Sequence, residues 1–272
     1  MEMKIFKDKH ILQKEILKTK GISFVPTMGG LHKGHISLIK QSKKFKFKTL
    51  VSIFVNPKQF NKKSDFRSYP RNKKKDIKLL KKLKVNYLYI PTFKDVYGFK
   101  PKNKIFLDKS SKRLCGKFRK GHFEGVLNVV NRFVEIIKPK YIFLGKKDYQ
   151  QLYLIKKHIE KRKIKSKIVG CKTIRENNGV AFSTRNLSLN RNQMKIASNI
   201  FYYLSNLKKK IKKNGQFKIS KIKKNLIKIG AKKIDYIENY DLKNFKKVKN
   251  SNKKFNLFFA YYIKKTRLID NI

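Results

Sequence analysis

The chain has 272 residues, 72 of them Lys or Arg and 16 Asp or Glu, for a formal net charge of +56. A hydrophobic share of 40% excludes a disordered chain, and the length suffices for one large domain or two unequal ones. No apolar run approaches the roughly 18 residues of a membrane-spanning helix, and the opening MEMKIFKDKH carries no apolar signal core.

In chain order, residues 3 to 18 space Ile, Phe and Leu among lysines and predict an opening strand and helix. Ile22 to Val25 predict a buried strand that breaks at Pro26. Apolar residues at Ile36, Leu38 and Ile39 then predict a helix running to about Lys48. TLVSIFV, residues 49 to 55, predicts a second buried strand, ending in Asn56-Pro57-Lys58-Gln59-Phe60. A polar loop over 61 to 72, a helix over 73 to 84 and a third strand over Val85 to Ile90 follow. Residues 92 to 120 read as one long loop, a feature that is often functional. Phe123 to Ile137 has a strong helical period, Tyr141 to Leu144 predicts a fourth strand, a helix starts near Asp148, and Ile164 to Val169 predicts a fifth strand. A long helix from Leu189 to about Lys213 ends at Asn214-Gly215, and another from Ile219 to Ile229 ends at Gly230. Strands over Ile234 to Tyr240 and Phe255 to Ile263 precede the closing TRLIDNI. The alternation of strands and helices implies a parallel sheet, and the helices followed by strands over about the last 85 residues imply a separate α+β domain.

The chemistry concentrates between the strand at 22 to 25 and the helix after it. His32 and His35 are three residues apart and share a face on a first helical turn, where free N–H groups and the macrodipole attract anions. Gly29, Gly30 and Gly34 would let a phosphate approach the backbone. Two readings stand: a phosphate site with two imidazoles aimed at it, or a Gly-rich turn with one surface and one capping histidine. Gln59 lies at the carboxyl end of a buried strand, where open α/β sheets bind ligands, whereas Asn56 suits a turn before proline. Asp148 reads as a helix cap or a site residue, Lys147 as a site residue or one more solvated lysine, and Gln150 and Gln151 lie in the first turn of the helix that follows. The segment Lys172 to Asn186 sets Arg175, Ser183, Thr184 and Arg185 around a glycine turn, groups that suit phosphate oxygens or an ordinary hydrogen-bonded loop. The positive charge is carried by 62 lysines against 10 arginines and is spread over almost every segment, which reads as compositional drift rather than a selected nucleic-acid patch. Its field attracts anionic small substrates in either case. Cys115 and Cys171 form neither a metal-ligand spacing nor a disulfide framework, and they fit a reduced cytosol.

Seven stretches, PTMGGLHKGH (26 to 35), FVNPKQF (54 to 60), YPR (69 to 71), GHFEGV (121 to 126), FLGKKDYQQL (143 to 152), RENNGVAFSTRN (175 to 186) and TRLIDN (266 to 271), occur in an order and spacing that closely resemble the pantothenate synthetase (pantoate–β-alanine ligase) family over nearly the whole chain. The resemblance implies an α/β fold: a Rossmann-like nucleotidyltransferase domain with a parallel sheet over 1–186, which binds nucleotide and pantoate, and a small α+β C-terminal lid domain over 187–272. It implies a cytoplasmic homodimer acting on ATP, (R)-pantoate and β-alanine through pantoyl adenylate, with Mg2+ accompanying ATP, no metal ligands singled out, and no membrane or specific nucleic-acid partner. By the family pattern Met28, Gly29, Gly30, Leu31, His32, Lys33, Gly34 and His35 line the ATP site, together with Gly145, Lys146, Lys147, Asp148, Ile174, Phe182, Ser183, Thr184 and Arg185. His35 is the family's proton donor, and His32 and Lys147 join it in stabilising charge on the phosphates. Gln59 and Gln151 hold pantoate, and Gln59 also meets β-alanine.

The chain departs from the family pattern at Gly30 (usually alanine), at Lys33 and Lys146 (commonly acidic), at Lys120 (usually proline), at Phe182 and Thr184 within the usual Met-Ser-Ser-Arg, and at Lys264 or Lys265, which occupies a position that is often glycine. None of these removes a group the chemistry needs. The alternatives are another nucleotidyltransferase with a His-x-Gly-His signature, or a basic nucleic-acid-binding protein.

Overall fold

The strands of the first part are short and apolar because helices cover both faces of the sheet they form. The structure, a computed structural model, describes residues 2–214, 218–248 and 255–272. It divides into two compact units, one of Met1–Lys146 and Gln150–Lys172, the other of Lys147–Tyr149 and Thr173–Ile272.

The first unit runs β1 (Lys4–Phe6), α1 (Lys9–Leu17), β2 (Ile22–Thr27), α2 (Lys33–Ser42), β3 (Lys48–Ile53), α3 (Lys63–Arg67), α4 (Lys73–Lys82), β4 (Tyr87–Tyr89), α5 (Phe93–Tyr97), α6 (Cys115–Phe118), α7 (His122–Ile137), β5 (Tyr141–Gly145), α8 (Tyr149–Lys161, whose first residue belongs to the other unit) and β6 (Lys167–Cys171). All neighbouring strands pair in parallel, in the order β1-β4-β3-β2-β5-β6. On one face Leu38 and Ile39 of α2 and Leu80 of α4 pack on Val25, Val51, Leu88 and Phe143. On the other, Phe133 of α7 meets the edges of Phe24 and Tyr89, with ring centroids 5.6 and 6.2 Å apart. The chain winds outward from β2 through β3 and β4 to one side and from β5 to β6 on the other. The strand order therefore reverses between β2 and β5, where doubly wound sheets open a crevice at their carboxyl ends.

The second unit adds α9 (Arg191–Asn214), α10 (Ile219–Ile229), β7 (Lys233–Tyr240), β8 (Asn256–Ile263) and β9 (Thr266–Asn271), the strands forming an antiparallel sheet in the order β7-β8-β9. Ala197, Ile200 and Leu204 of α9 and Ile222 and Leu226 of α10 close its core against Ile237, Leu257, Phe259, Tyr261 and Leu268.

Several boundaries differ from the sequence expectations for identifiable reasons. β2 does not break at Pro26. Pairing with β5 covers only Ser23 and Phe24, so Pro26 keeps a strand neighbour only in β3, at Ser52. α2 stops at Ser42, well before Lys48, and Phe45 turns back to pack against Phe143 at 5.1 Å. The long loop over 92 to 120 contains two short helices; a reciprocal Thr92–Asp95 capping box starts α5. The fifth expected strand starts at Lys167 rather than Ile164, and TRLIDN forms an edge strand of its own. Gly215, expected to end α9, lies outside the described residues.

Candidate active site

The signature loop leaves β2 through two glycines held at positive φ, Gly29 at +79° and Gly30 at +62°, a conformation that costs other residues strain. Its amides do not stand free for a phosphate. The Gly29 N–H donates to Thr27 Oγ1 at 3.2 Å, and the N–H groups of Gly30 and Leu31 donate to the two carboxylate oxygens of Asp76, each at 2.9 Å. Asp76 comes from α4 and is 3% exposed. Sequence reasoning missed it. The available signal was a lone acid four residues before Leu80 on an otherwise lysine-rich helix, hence on the stripe that faces inward.

His32 is the N-cap of α2 and His35 lies in its first turn. The Gly34 N–H donates to His32 Nδ1 at 3.1 Å, and the His32 N–H donates to His35 Nδ1 at 3.3 Å, a capping box built from two imidazoles. The rings lie 4.1 Å apart. Because a backbone donor occupies each Nδ1, each neutral ring carries its proton on Nε2. The two sequence readings thus merge: the histidines cap the helix with one nitrogen and present a donor with the other. Lys33 begins α2.

Gln59 ends the 3-10 turn Pro57–Gln59 that follows β3. Its Nε2 donates to Met28 Sδ at 2.6 Å, and its Oε1 accepts from Asn56 Nδ2 at 3.4 Å. Asn56 is buried, caps the turn at Lys58 N, and also donates to Gly125 O at 3.1 Å. Tyr97 donates to Asn56 Oδ1 at 3.0 Å, and burial pushes that phenol up to about 12. The backbone carbonyl of Gln59 is held by His122 Nδ1 at 2.8 Å; Arg119, only a donor, lies 2.8 Å from His122 Nε2 and so fixes the proton on Nδ1. The GHFEGV stretch thus acts on Gln59 through His122, a role its sequence did not reveal.

At the end of β5, Gly145 leads into the 3-10 turn Lys146–Asp148. Of the two glutamines that follow, Gln150 is structural. It is buried, accepts from Cys115 N at 3.1 Å, and donates to Ser110 O and Arg113 O at 2.9 and 2.8 Å. Gln151 is half-buried. Met28, the signature loop, Gln59, Gly145, Lys146 and Gln151 all belong to the first unit; the signature loop follows β2 and Gly145 ends β5, the two strands that flank the reversal of strand order.

The second unit carries Lys147, Asp148, Ile174 and Phe182 to Arg185. Lys147 Nζ lies 3.6 Å from Asp148 Oδ1. The Phe182 N–H donates to Ile174 O at 3.0 Å, and Ser183 caps the turn Thr184–Ser188, its Oγ accepting from Arg185 N at 3.3 Å. Thr184 is buried. A cavity in this unit is lined by Lys147, Ser183, Arg185, Arg267 and Asp270 among others. Arg175 is committed to structure. Its guanidinium donates to both oxygens of Asp270, at 2.5 and 3.2 Å, and to Gly179 O at 3.1 Å. Burial raises the Asp270 carboxyl above its ordinary range, against the pull of Arg175. Among the described residues no group of three or more His, Cys, Asp or Glu could hold a metal ion, and no helix is long and apolar enough to cross a membrane.

A family model described as Pantoate-beta-alanine ligase matches residues 4–272. The pantothenate synthetase of Flavobacterium psychrophilum is 39% identical over 93% of this chain and 92% of its own length, and that of Christiangramia forsetii is 39% identical over 99% of each. The crystal structure of pantoate-beta-alanine ligase from Francisella tularensis, complexed with beta-gamma ATP and beta-alanine, superposes with a TM-score of 0.84 at 36% identity, covering 99% of this chain and 97% of that one. With its motifs in order, its parallel sheet and its match from residue 4 to residue 272, the chain belongs to the pantoate–β-alanine ligase family.

Proposed function

We propose that the chain condenses (R)-pantoate with β-alanine in two steps. A pantoate carboxylate oxygen attacks the α-phosphorus of ATP, the bond from that phosphorus to the pyrophosphate oxygen breaks, and pyrophosphate leaves. The amine of β-alanine then attacks the acyl carbon, the bond to AMP breaks, and the amine nitrogen loses a proton. Phosphoryl chemistry of this kind needs positioning and charge neutralisation more than covalent help from the protein.

In this reading the Nε2–H groups of His32 and His35 and the ammonium of Lys147 meet charge developing on the phosphates. Met28 to His35, Gly145 to Asp148, Ile174 and Phe182 to Arg185 take the nucleotide. Gln59 and Gln151 take pantoate, and Gln59 also β-alanine; an amide both donates and accepts, as a hydroxy acid requires. The observation that carries the assignment is the pair of capped imidazoles in the loop after β2, at the reversal of strand order. Mg2+ arrives with ATP. Bound there, it would neutralise phosphate charge, and the steps above rest on the chain's own groups.

Two further parts of the reading are cellular. Two buried free cysteines support a reducing cytoplasm, and the family resemblance implies a homodimer. A pyrophosphate-release assay tests the function. Release should require ATP and pantoate, and pantothenate should form only with β-alanine. Release with other acids but not pantoate would favour a different nucleotidyltransferase, and salt-sensitive binding to random DNA without turnover would favour a nucleic-acid-binding protein.

A further inference from the structure

TRLIDN is among the stretches that mark the family, yet the reaction as read above gives it no task. The structure places it in β9, with its polar side chains turned to specific partners. Arg267 Nε donates to Asp235 Oδ2 at 2.7 Å. Asp270 takes the Arg175 guanidinium and the N–H of Asn271. Asn271 is 6% exposed, and its Nδ2 donates to the backbone carbonyl of Lys147 at 2.8 Å. The carboxamide is itself oriented, because its Oδ1 accepts from Asn256 Nδ2 at 2.9 Å. Arg175 also reaches the Asn271 carbonyl at 3.3 Å. Lys147 lines the same cavity as Asp270 and Arg267.

A lysine side chain is a point charge on a flexible four-carbon stem, so the backbone atoms from which the stem starts decide which region the ammonium can sample. Lys147 sits in a short 3-10 turn, a weaker mooring than a long helix or a sheet interior. We propose that Asn271 is a positioning residue for Lys147, its carboxamide holding the Lys147 carbonyl so that the ammonium is delivered to the ATP phosphates. The inference rests on the reading of Lys147 as the charge that meets those phosphates.

The test is single-turnover formation of pantoyl adenylate in Asn271→Asp, Asn256→Ala, Lys147→Ala and the double variant Asn271→Asp/Lys147→Ala. Asn271→Asp keeps the size and the acceptor for Asn256 but loses the donor to Lys147. It should slow adenylation by about tenfold or more. The reaction of β-alanine with supplied pantoyl adenylate, which needs no phosphate neutralisation of this kind, should change far less. Asn256→Ala frees the carboxamide without touching Lys147, so it should act in the same direction and more weakly, and it carries the test if Asn271→Asp fails to fold. The double variant should be no slower than Lys147→Ala alone, because a residue acting through Lys147 has nothing left to lose. Multiplying effects, equal slowing of both half-reactions, or normal adenylation in both Asn variants beside a crippled Lys147→Ala would overturn the inference. A near-normal Lys147→Ala would instead overturn the reading on which it rests.

Discussion

Removing the His35 imidazole takes away the acceptor for the His32 amide and, in the proposed reading, a donor at the phosphates, and these losses differ in size. Loss of one preorganised donor lowers a rate by a factor on the order of a hundred, whereas loss of a helix cap costs about 1 kcal/mol of stability. His35→Ala should therefore cut single-turnover formation of pantoyl adenylate at least about a hundredfold, with a modest drop in melting temperature and a smaller loss of ATP affinity. Near-normal adenylate formation would remove His35 from the chemistry. A second histidine titrates by a different logic. His158 is fully buried, accepts from Phe106 N and lies 3.0 Å from Asn131 Oδ1, and burial, with Arg162 adding to it, lowers its pKa from an ordinary 6.5 to about 4. Between those values the unfolded chain binds a proton that the folded chain refuses, so stability falls as pH falls through the window, by on the order of 3 kcal/mol at its lower end. In His158→Gln, whose amide does not titrate, melting temperature should fall less between pH 6.5 and 4 than in the parent; parallel curves would show that this imidazole does not govern the window. The spacing of His32 and His35 was legible in the sequence. The inward-facing stripe could mark Asp76, but not its partners, because Gly30 and Leu31 lie 46 and 45 residues away and local pattern carries no sign of them.

At the scale of elements, the close approach of α7 to the turn that carries Gln59 depends on one missing side chain. A Cβ on Gly125 would stand 2.1 Å from Lys58 O and 2.9 Å from Gln59 Cα, backbone atoms that cannot swing aside. Gly125→Ala should push the helix and the turn apart, destabilising the protein by roughly 1–3 kcal/mol and raising the KM for pantoate with little change in that for ATP. Thermal melts with steady-state kinetics would measure both, and an unchanged pantoate KM would detach Gln59 from that substrate. Elements with a sustained period were readable: α7 and α10 fall within a residue of their expected ends. Short ones were not. α5, α6 and the turns around them owe their form to caps and to contacts distant in sequence, such as the Gln150 bonds to Ser110 and Arg113.

Over the whole molecule the charge is lopsided, but the remaining acids are not scattered at random. Of the 16, Asp8, Asp76, Asp95, Asp108, Glu135, Asp241 and Asp270 accept backbone N–H groups, and Asp235 pairs with a buried arginine. A lysine cannot replace them, since an ammonium only donates. Charge reversal should therefore be judged by local role rather than by net charge. Glu2→Lys and Asp65→Lys, both at exposed positions, should shift stability by no more than about 0.5 kcal/mol. Asp95→Lys, which breaks the Thr92 capping box, should cost roughly 1–2 kcal/mol. Denaturant midpoints would separate these, and equal costs would mean that global repulsion governs instead. The parallel sheet and the α+β second unit followed from the order of elements in the sequence, while the place of the division did not, because it falls between Lys146 and Lys147, inside one short turn.

That two imidazoles cap α2 bears on proton traffic. A nitrogen that receives a backbone N–H has no lone pair left for a proton, so making either ring cationic means surrendering the bond that starts the helix. A neutral ring, for its part, does not give up its last proton in ordinary acid–base exchange. In the proposed reading each ring would meet a phosphate oxygen through its Nε2–H, and nitrogen NMR of the two rings would report which nitrogen carries the proton. Protonating either ring at Nδ1 would therefore loosen the start of α2 as well as add a charge there.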